Sequence, residues 1–131
     1  MSQENVDRMR KAIEAMNRRD IEGVLRLMDP KIRFEHRLAA LEGNFVGIDG
    51  VRGWFADLLE NFDAWRIHCP DIRDLGDGVL ALGTIKATGT ESGVETELPL
   101  TVVTRFKDER ITHFTDFGDR AKALEAAGLR E

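Results

Sequence analysis

The sequence contains no tyrosine and only one cysteine, Cys69, among its 131 residues. A single cysteine can form neither an internal disulfide nor a cysteine-based metal site, so we expect Cys69 to be a small buried apolar residue. Apolar runs of the roughly 20 residues needed to cross a bilayer are also missing. The length favours one globular domain over residues 1–131, with a substantial core.

Clustered positive charge is absent as well. The formal net charge is −5, and lysine and arginine form no basic block. Nucleic acid and anionic membrane both require a concentrated positive surface, so neither is expected as the main partner. The polar, acidic stretch Met1–Asn5 has the character of neither a signal peptide nor an arginine-rich transit peptide, and we expect a cytoplasmic protein.

Metal and cofactor motifs are equally scarce. The three histidines, His36, His68 and His113, lie on separate predicted strands without the paired spacing of a metal site. Gly76–Gly78 has the composition of a turn and not of a loop that cradles a phosphate. We therefore expect neither a metal nor a cofactor.

Apolar residues recur at helical spacing through the first half of the chain. A repeat from Val6 to Met16 predicts a helix over residues 2–17, and Asp20 is expected to cap a second helix that stops before Pro30. Asp49 is expected to cap a third helix. The buried side of this third helix is expected, with Trp54 at its edge, to consist of Val51, Phe55, Leu58, Leu59 and Phe62.

Alternating apolar residues predict a short first strand over Lys31–His36, followed by a glycine-bearing loop, Arg37–Ile48, that closes over part of the fold. Pro70 marks an edge position or a bulge in the next strand. A four-residue hairpin loop, Lys107–Arg110, is expected to join the last two strands, and Asp119 to cap a final short helix. The four later strands are expected over Ala64–Ile72, Val79–Thr90, Val94–Phe106 and Arg110–Phe117.

Strands that follow one another through short turns pair antiparallel, and the amphipathic helices are the available cover for one face of the resulting sheet. The sequence therefore predicts an α+β domain in which helices pack on a curved antiparallel sheet.

Asp116 is a carboxylate inside the last predicted strand, where aspartate is uncommon. Either it lies at a strand end, bonded to arginine or water, or it points into a cavity and carries chemistry. In the second case desolvation among apolar side chains would raise its pKa toward neutrality and suit it to acid–base work. Pairing Phe106 with Ile111 is expected to place Thr101 opposite Asp116, Val103 opposite Phe114, and Arg105 opposite Thr112.

Four stretches resemble the nuclear transport factor 2-like superfamily, and within it the SnoaL-like branch, and the likeness covers nearly the whole chain. They are Ala15–Asp20, Gly47–Arg52, Phe106–Ile111 and Asp119–Leu129. The resemblance implies a cone-shaped sheet with the N-terminal helices on its concave face, a pocket between them, and a homodimer built on the outer sheet face. Members include cyclases, isomerases, epoxide hydrolases, dehydratases and non-catalytic binding proteins, so the fold alone does not give the function.

The resemblance also implies roles for particular residues. In SnoaL-like cyclases and limonene-epoxide-hydrolase-like proteins the matching aspartate of the last strand acts as acid or base, which makes Asp116 the first catalytic candidate. His36 ends the first strand where ketosteroid isomerase-like proteins carry their catalytic aspartate, and a histidine there can move a proton at physiological pH. A half-buried histidine bonded to backbone is the alternative. The substrate pocket is expected to be lined by Phe34, Trp54, Thr101, Val103, Arg105 and Phe114.

Two mechanisms are excluded by what the sequence lacks. Ketosteroid isomerases need a tyrosine as oxyanion donor, and Val79–Ile85 lacks the arginine–aspartate pair of the epoxide hydrolases. Two functions remain open. The first is a cofactor-free isomerase-, cyclase- or hydrolase-type enzyme acting on an apolar or aromatic carbonyl-bearing molecule. The second is a non-catalytic dimer that binds a hydrophobic ligand in the same cone.

Overall fold

The computed structural model describes residues 2–36 and 43–129 of the chain. It shows an α+β domain in which N-terminal helices pack on a curved, unclosed sheet of six strands. The predicted fold class is therefore confirmed.

The described residues form four helices and six strands. The helices are α1 (Ser2–Asn17), α2 (Ile21–Leu25), α3 (Gly47–Asn61) and α4 (Arg120–Ala126). The strands are β1 (Met28–His36), β2 (Gly43–Val46), β3 (Phe62–Asp74), β4 (Gly78–Gly89), β5 (Glu95–Lys107) and β6 (Arg110–Asp116). Within the sheet they follow the order β2–β1–β6–β5–β4–β3.

Strand β1 joins the early part of the chain to its last strand. It pairs antiparallel with β2 and parallel with β6, where Phe34 lies beside Phe114. The other strand pairs in the described part of the chain are antiparallel. The predicted loop Arg37–Ile48 is wrong over Gly43–Ile48, because Gly43–Val46 forms β2 and α3 begins at Gly47. Residues 37–42 lie outside the described residues.

Helix α3 begins earlier than predicted, and its buried face is centred nearer to Trp54 than the predicted one. Val46 is its N-cap without a side-chain hydrogen bond, so Asp49 lies inside the first turn and is not the cap. Trp54 is 1% exposed and Leu59 is 47% exposed, which reverses the predicted placement of both. The buried positions, which follow the spacing of three and four of a single helix face, are Val51, Trp54, Phe55 and Leu58.

Two predicted helix caps are confirmed. The Asp20 carboxylate accepts a hydrogen bond from the backbone N–H of Gly23 at 3.0 Å, and Asp119 accepts one from Ala121 at 2.8 Å. Both carboxylates satisfy backbone N–H groups that the first turn of a helix leaves without intrahelical partners.

The prediction for Pro70 is confirmed in both of its forms. Strand β3 is an edge of the sheet, and its register with β4 shifts between His68 and Asp71. The bulge brings the β3 backbone so close to Gly83 that a Cβ atom there would run into the carbonyl oxygen of His68. Only glycine fits this position.

The hairpin between β5 and β6 is tighter than predicted. Strand pairing continues to Lys107 and Arg110, which leaves a two-residue turn at Asp108 and Glu109 with φ values of 51° and 69°. Positive φ at both central residues is the conformation that matches the twist of two-residue hairpins. The predicted four-residue loop is therefore wrong.

Buried apolar residues form two clusters on opposite faces of the sheet. The main cluster lies between the sheet and helices α1 to α3. The second lies under α4 on the outer face and contains Leu80, Leu82, Val103, Ala123 and Leu124. The inner face is therefore the one that can offer an interior chamber.

Candidate functional site

Three aromatic side chains from different elements meet on the inner face. Phe34 of β1 stacks on Phe114 of β6 with ring centroids 4.6 Å apart and planes 15° apart. Trp54 of α3 lies over the same ring of Phe34 at 4.9 Å. The parallel pairing of β1 with β6 brings the two phenylalanines side by side, and the helical stripe of α3 supplies the tryptophan.

A small cavity remains between this aromatic group and α1. Its volume is about 20 Å³, which is close to the space that one water molecule needs. The interior is thus largely filled by the protein's own side chains. The residues that line the cavity are apolar: Met9, Ala12, Ile13, Met16, Val24, Met28, Trp54, Ile67, Ile85, Leu100, Ile111 and Phe114.

Asp116 ends strand β6 and is 3% exposed. Its Oδ1 atom accepts hydrogen bonds from the Thr101 hydroxyl at 3.2 Å and from the Thr101 backbone N–H at 3.4 Å. The backbone N–H of Gly118 donates to the same oxygen at 3.0 Å. Hydrogen bonds of this kind compensate the cost of burying a carboxylate and fix its orientation.

The register around Asp116 differs from the predicted one. Phe106 pairs with Ile111 as expected, but the register shifts between Arg105 and Phe106, so that Asp116 lies opposite Val102. The extra residue moves every later pair by one position. Thr101 still reaches Asp116, because the carboxylate takes the place of a strand carbonyl as the acceptor for the Thr101 N–H.

Cys69 lies in the main cluster, and the charge of Asp116 affects the pKa of its thiol. Burial, reinforced by the negative charge of Asp116, raises the pKa of the Cys69 thiol to about 11. The thiol is therefore protonated at neutral pH, and it lacks the thiolate character of a nucleophile. The prediction that Cys69 is a buried residue is confirmed.

His36 stands beside Asp116 in the backbone of the sheet. The parallel pair Glu35–Thr115 brings the next residue of each strand, His36 and Asp116, to the same level. The two positions are neighbours on adjacent strands and do not face each other across the cone. The side chain of His36 lies outside the described part of the chain.

Comparison with known proteins places this architecture in a family. A family model described as a SnoaL-like domain matches residues 9–114. The chain belongs to the SnoaL-like domain family. Among curated proteins, none matches this SnoaL-like chain significantly.

Solved structures of similar proteins share the fold of this SnoaL-like domain. A nuclear transport factor 2-like protein of unknown function from Burkholderia pseudomallei is 27% identical, with a TM-score of 0.81 over 93% of this chain and 95% of that one. TerC, co-crystallised with polyporic acid, is 22% identical, with a TM-score of 0.79 over 95% and 98%. A nuclear transport factor 2-like protein from Burkholderia xenovorans is 21% identical, with a TM-score of 0.76 over 97% of each chain.

The SnoaL-like domain brings together only part of the expected pocket lining. Phe34, Trp54 and Phe114 meet in the main cluster. Val103 does not join them, because it alternates along β5 with Val102 of the main cluster and so lies on the outer face under α4. The register shift sets Thr104 opposite Phe114 in its place. Arg105 lies half-buried at the far end of β5, where its Nη1 donates to Asp77 at 2.9 Å.

The turn after β6 was missed by reasoning from the sequence. Gly118 has a φ of 70° and donates to the side chain of Asp116 two residues earlier. An aspartate followed two positions later by glycine is the usual pattern of a turn closed by the aspartate side chain. The sequence Asp116–Gly118 therefore contains the pattern that predicts this turn.

The described residues hold neither a metal-binding cluster nor a membrane-spanning helix. Residues 2–36 and 43–129 contain no group of three or more histidine, cysteine, aspartate or glutamate side chains placed to hold a metal ion. None of the helices in these ranges is long and apolar enough to span a membrane.

Proposed function

We propose that this SnoaL-like domain binds a small apolar or aromatic molecule bearing a carbonyl group and moves a proton on it without a cofactor, with Asp116 as acid–base. The observation that carries the proposal is the burial of the Asp116 carboxylate, which is 3% exposed and whose charge contributes to the raised pKa of Cys69 in the main cluster. A buried carboxylate in such surroundings is a common feature of catalytic sites.

The hydrogen bonds to Asp116 suit a base that must be held still. Thr101 and Gly118 fix Oδ1 from two sides, and fixed geometry is a large part of the advantage that a positioned group has over one in solution. In the proposed step the carboxylate takes a proton from the carbon next to the carbonyl, and the C–H electron pair moves into an enolate. The same carboxyl group then returns the proton to another atom of the substrate.

The ligand class follows from the lining of the interior. The cavity is surrounded by apolar residues and bordered by Trp54 and Phe114, which suits an aromatic or aliphatic body. Three methionines, Met9, Met16 and Met28, belong to the lining. Methionine side chains change rotamer readily, so the cavity can enlarge around a ligand. TerC, whose fold is the same, was crystallised with polyporic acid, which supports binding of a small organic molecule.

His36 is proposed as the partner of Asp116 or as the group that orients the substrate. The support is the backbone register, which sets the two positions at the same level of adjacent strands. A histidine at this place can exchange a proton with the substrate near neutral pH.

The test is a proton-exchange assay that needs no knowledge of the product. Aromatic and aliphatic ketones that bind in native mass spectrometry are incubated in D₂O, and deuterium uptake next to the carbonyl is followed by NMR. Asp116→Asn is expected to slow the exchange at least about 100-fold, the usual share of a general acid or base. The matched control is Asp119→Asn, which keeps a good helix cap and should leave exchange unchanged. Equal rates in wild type and Asp116→Asn would remove Asp116 from the mechanism.

A second candidate function, non-catalytic binding of a hydrophobic ligand, is favoured by a different observation. The cavity lining contains no charged side chain, and Oδ1 of Asp116 is already engaged by Thr101 and Gly118. Under this alternative, bound ketones show no exchange above the buffer rate, and Asp116→Asn binds them as tightly as wild type.

We also propose a homodimer through the outer sheet face. Arg66, Lys86 and Glu97 lie side by side across β3, β4 and β5 and are exposed. A two-fold axis through this face would set the basic end of the row in one copy against the acidic end in the other. Glu97→Lys is expected to weaken association about ten-fold in sedimentation equilibrium, whereas Glu60→Lys on α3 should not. A monomer at all concentrations would refute the dimer.

A further inference from the structure

The Asp116 carboxylate bonds the end of β6 both to β5 and to the connection that leads into α4. Its Oδ1 atom accepts hydrogen bonds from the hydroxyl and backbone N–H of Thr101, and from the backbone N–H of Gly118 at 3.0 Å. The N–H of Phe117 donates to the Thr101 carbonyl at 3.0 Å, so bonding to β5 continues one residue beyond β6. Gly118 is therefore the first residue past this bonding, on the way to α4.

Gly118 also sets the direction in which the chain enters α4. Its φ of 70° lies in the left-handed region, which glycine adopts without steric cost. The next residue, Asp119, caps α4 through its 2.8 Å bond to the Ala121 N–H. The backbone N–H that binds the Asp116 carboxylate is thus one residue away from the cap of the helix.

Helix α4 is short and has a small buried side. It has seven residues, and helices of this length are not stable in water on their own. Its buried residues are Ala123 and Leu124, which pack with Leu80, Leu82 and Val103 on the outer sheet face. Docking of α4 and its helical structure therefore depend on each other, and a change at the connection can shift the balance between docked and undocked helix.

The negative charge of Asp116 strengthens its bond to this connection. A hydrogen bond to an ionised carboxylate is roughly twice as strong as one between neutral groups. In the proposed reaction the carboxylate takes a proton from the substrate and loses its charge, so its bond to the Gly118 N–H weakens. Two other titratable groups neighbour Asp116. Cys69 of β3 keeps its proton at neutral pH, because its thiol has a pKa of about 11, and His36 stands at the same level on β1.

We infer that α4 responds to the charge of Asp116: the helix is docked firmly while the carboxylate is ionised, and it loosens when the carboxylate is protonated. The inference deepens the proposed function and rests on it, because the proton that neutralises Asp116 comes from the substrate. A change at the inner face of the sheet is then transmitted to the outer face through the bond between Asp116 and Gly118.

Amide hydrogen exchange in the α4 region tests the coupling on the intact protein, without a ligand. The measured N–H groups are those of Ala127 and Leu129, which bond to the carbonyls of Ala123 and Leu124 at 3.0 and 2.8 Å. Asp116→Asn keeps an acceptor oxygen and removes the charge, as protonation does. It is expected to speed exchange of both N–H groups about ten-fold.

Three comparisons separate this response from a general loss of stability. The N–H of Phe62, which bonds to the Leu58 carbonyl at the end of α3, should speed up much less in Asp116→Asn than the two α4 groups do. Asp20→Asn makes the same chemical change in the cap of α2 and should leave the α4 groups unchanged. Thr101→Val removes one bond to Asp116 but keeps its charge, so it should speed the α4 groups by less than Asp116→Asn.

Coupling between two sites is reciprocal, which gives a second test. Leu124→Ala removes buried contacts of α4, leaves Asp116 itself unchanged, and favours the undocked helix. The carboxylate then lacks its Gly118 donor for more of the time, so carboxyl-carbon NMR should show Asp116 taking up its proton at a higher pH than in wild type. Leu129→Ala, at a partly buried position of the same cluster, is a milder variant with the same expected direction.

Two results would overturn the coupling. The first is equal exchange of the Ala127 and Leu129 N–H groups in wild type and Asp116→Asn. The second is an Asp116 that titrates as in wild type in both Leu124→Ala and Leu129→Ala.

Failure of this inference can be told apart from failure of the proposed function. If ketones show no deuterium exchange but α4 responds to Asp116→Asn, the catalytic role is removed and the charge coupling stays as a property of the fold. If ketone exchange depends on Asp116 but α4 does not respond, the coupling is removed and the acid–base role stays.

Discussion

Asn17 acts as an extra strand residue against Ile67. Its Nδ2 donates to the Ile67 carbonyl at 2.9 Å, and its Oδ1 accepts from the Ile67 N–H at 2.7 Å. Strand β3 is an edge of the sheet, where unpaired backbone groups are a template for pairing with other chains. One carboxamide therefore anchors a helix and blocks an edge at the same time.

Replacing Asn17 by alanine should destabilise the domain. The substitution removes both hydrogen bonds and leaves the backbone groups of Ile67 without their partner, at a cost of about 2 kcal/mol. Chemical denaturation measures the loss, and light scattering should show more association because the edge is open. Gln3→Ala, which removes an exposed bond to Asp7, is the control. A stability loss no larger than that of the control would contradict the edge role.

Asp116 is expected to stabilise the fold by accepting hydrogen bonds from buried and half-buried donors. Asp116→Ala leaves the Thr101 hydroxyl and the Gly118 N–H without this acceptor, and we expect a loss of about 2–4 kcal/mol. Asp116→Asn keeps an oxygen in place of Oδ1 and should cost less. The comparison is made by urea unfolding. If the two variants were equally stable, the hydrogen bonds to Oδ1 would not be holding the end of β6.

The raised pKa of the Cys69 thiol predicts that the domain becomes less stable at high pH. Its pKa is about 11 in the folded chain against an ordinary 9.0, so the folded state keeps a proton that the unfolded state releases. The stabilisation is fully present below pH 9 and is lost as pH rises toward 11. Over that window, the unfolding free energy of wild type should fall by about 1.4 kcal/mol per pH unit relative to Cys69→Ala. Parallel pH profiles for the two proteins would contradict the raised pKa.

Gly83 and Gly53 should respond oppositely to alanine. A Cβ at Gly83 would strike the β3 backbone at His68, whereas a Cβ at Gly53 meets nothing within 4 Å. Gly83→Ala should therefore cost about 3 kcal/mol or more. Gly53→Ala, in the middle of α3, should stabilise the domain by about 0.5–1 kcal/mol through helix propensity. Thermal denaturation of the two variants is the measurement, and a stable Gly83→Ala would mean that β3 can move away.

Sequence reasoning succeeded where the physical cause is local. Asp20 and Asp119 could be assigned as caps because a cap depends on residues within one turn, and Pro70 could be assigned to an edge or bulge because its ring removes a donor. The hydrophobic periodicity gave α1 for the same reason.

It failed where one residue's place depends on a distant irregularity. The register shift between Arg105 and Phe106 has no marker in the sequence, yet it sets Asp116 opposite Val102 and Phe114 opposite Thr104. Likewise, the N-cap of α3 is Val46, three residues before the predicted cap Asp49, and Trp54 lies on the buried face of the helix and not at its edge.

The parallel contact between β1 and β6 also governs how the chain is made. The ribosome synthesises β1 long before β6. Until β6 emerges, β2 is the only partner strand available to β1, and Phe34 lacks its contact with the ring of Phe114. An open apolar strand edge on a nascent chain is a site for misassembly. Productive folding of this domain is therefore expected to begin only after the last strand has left the exit tunnel.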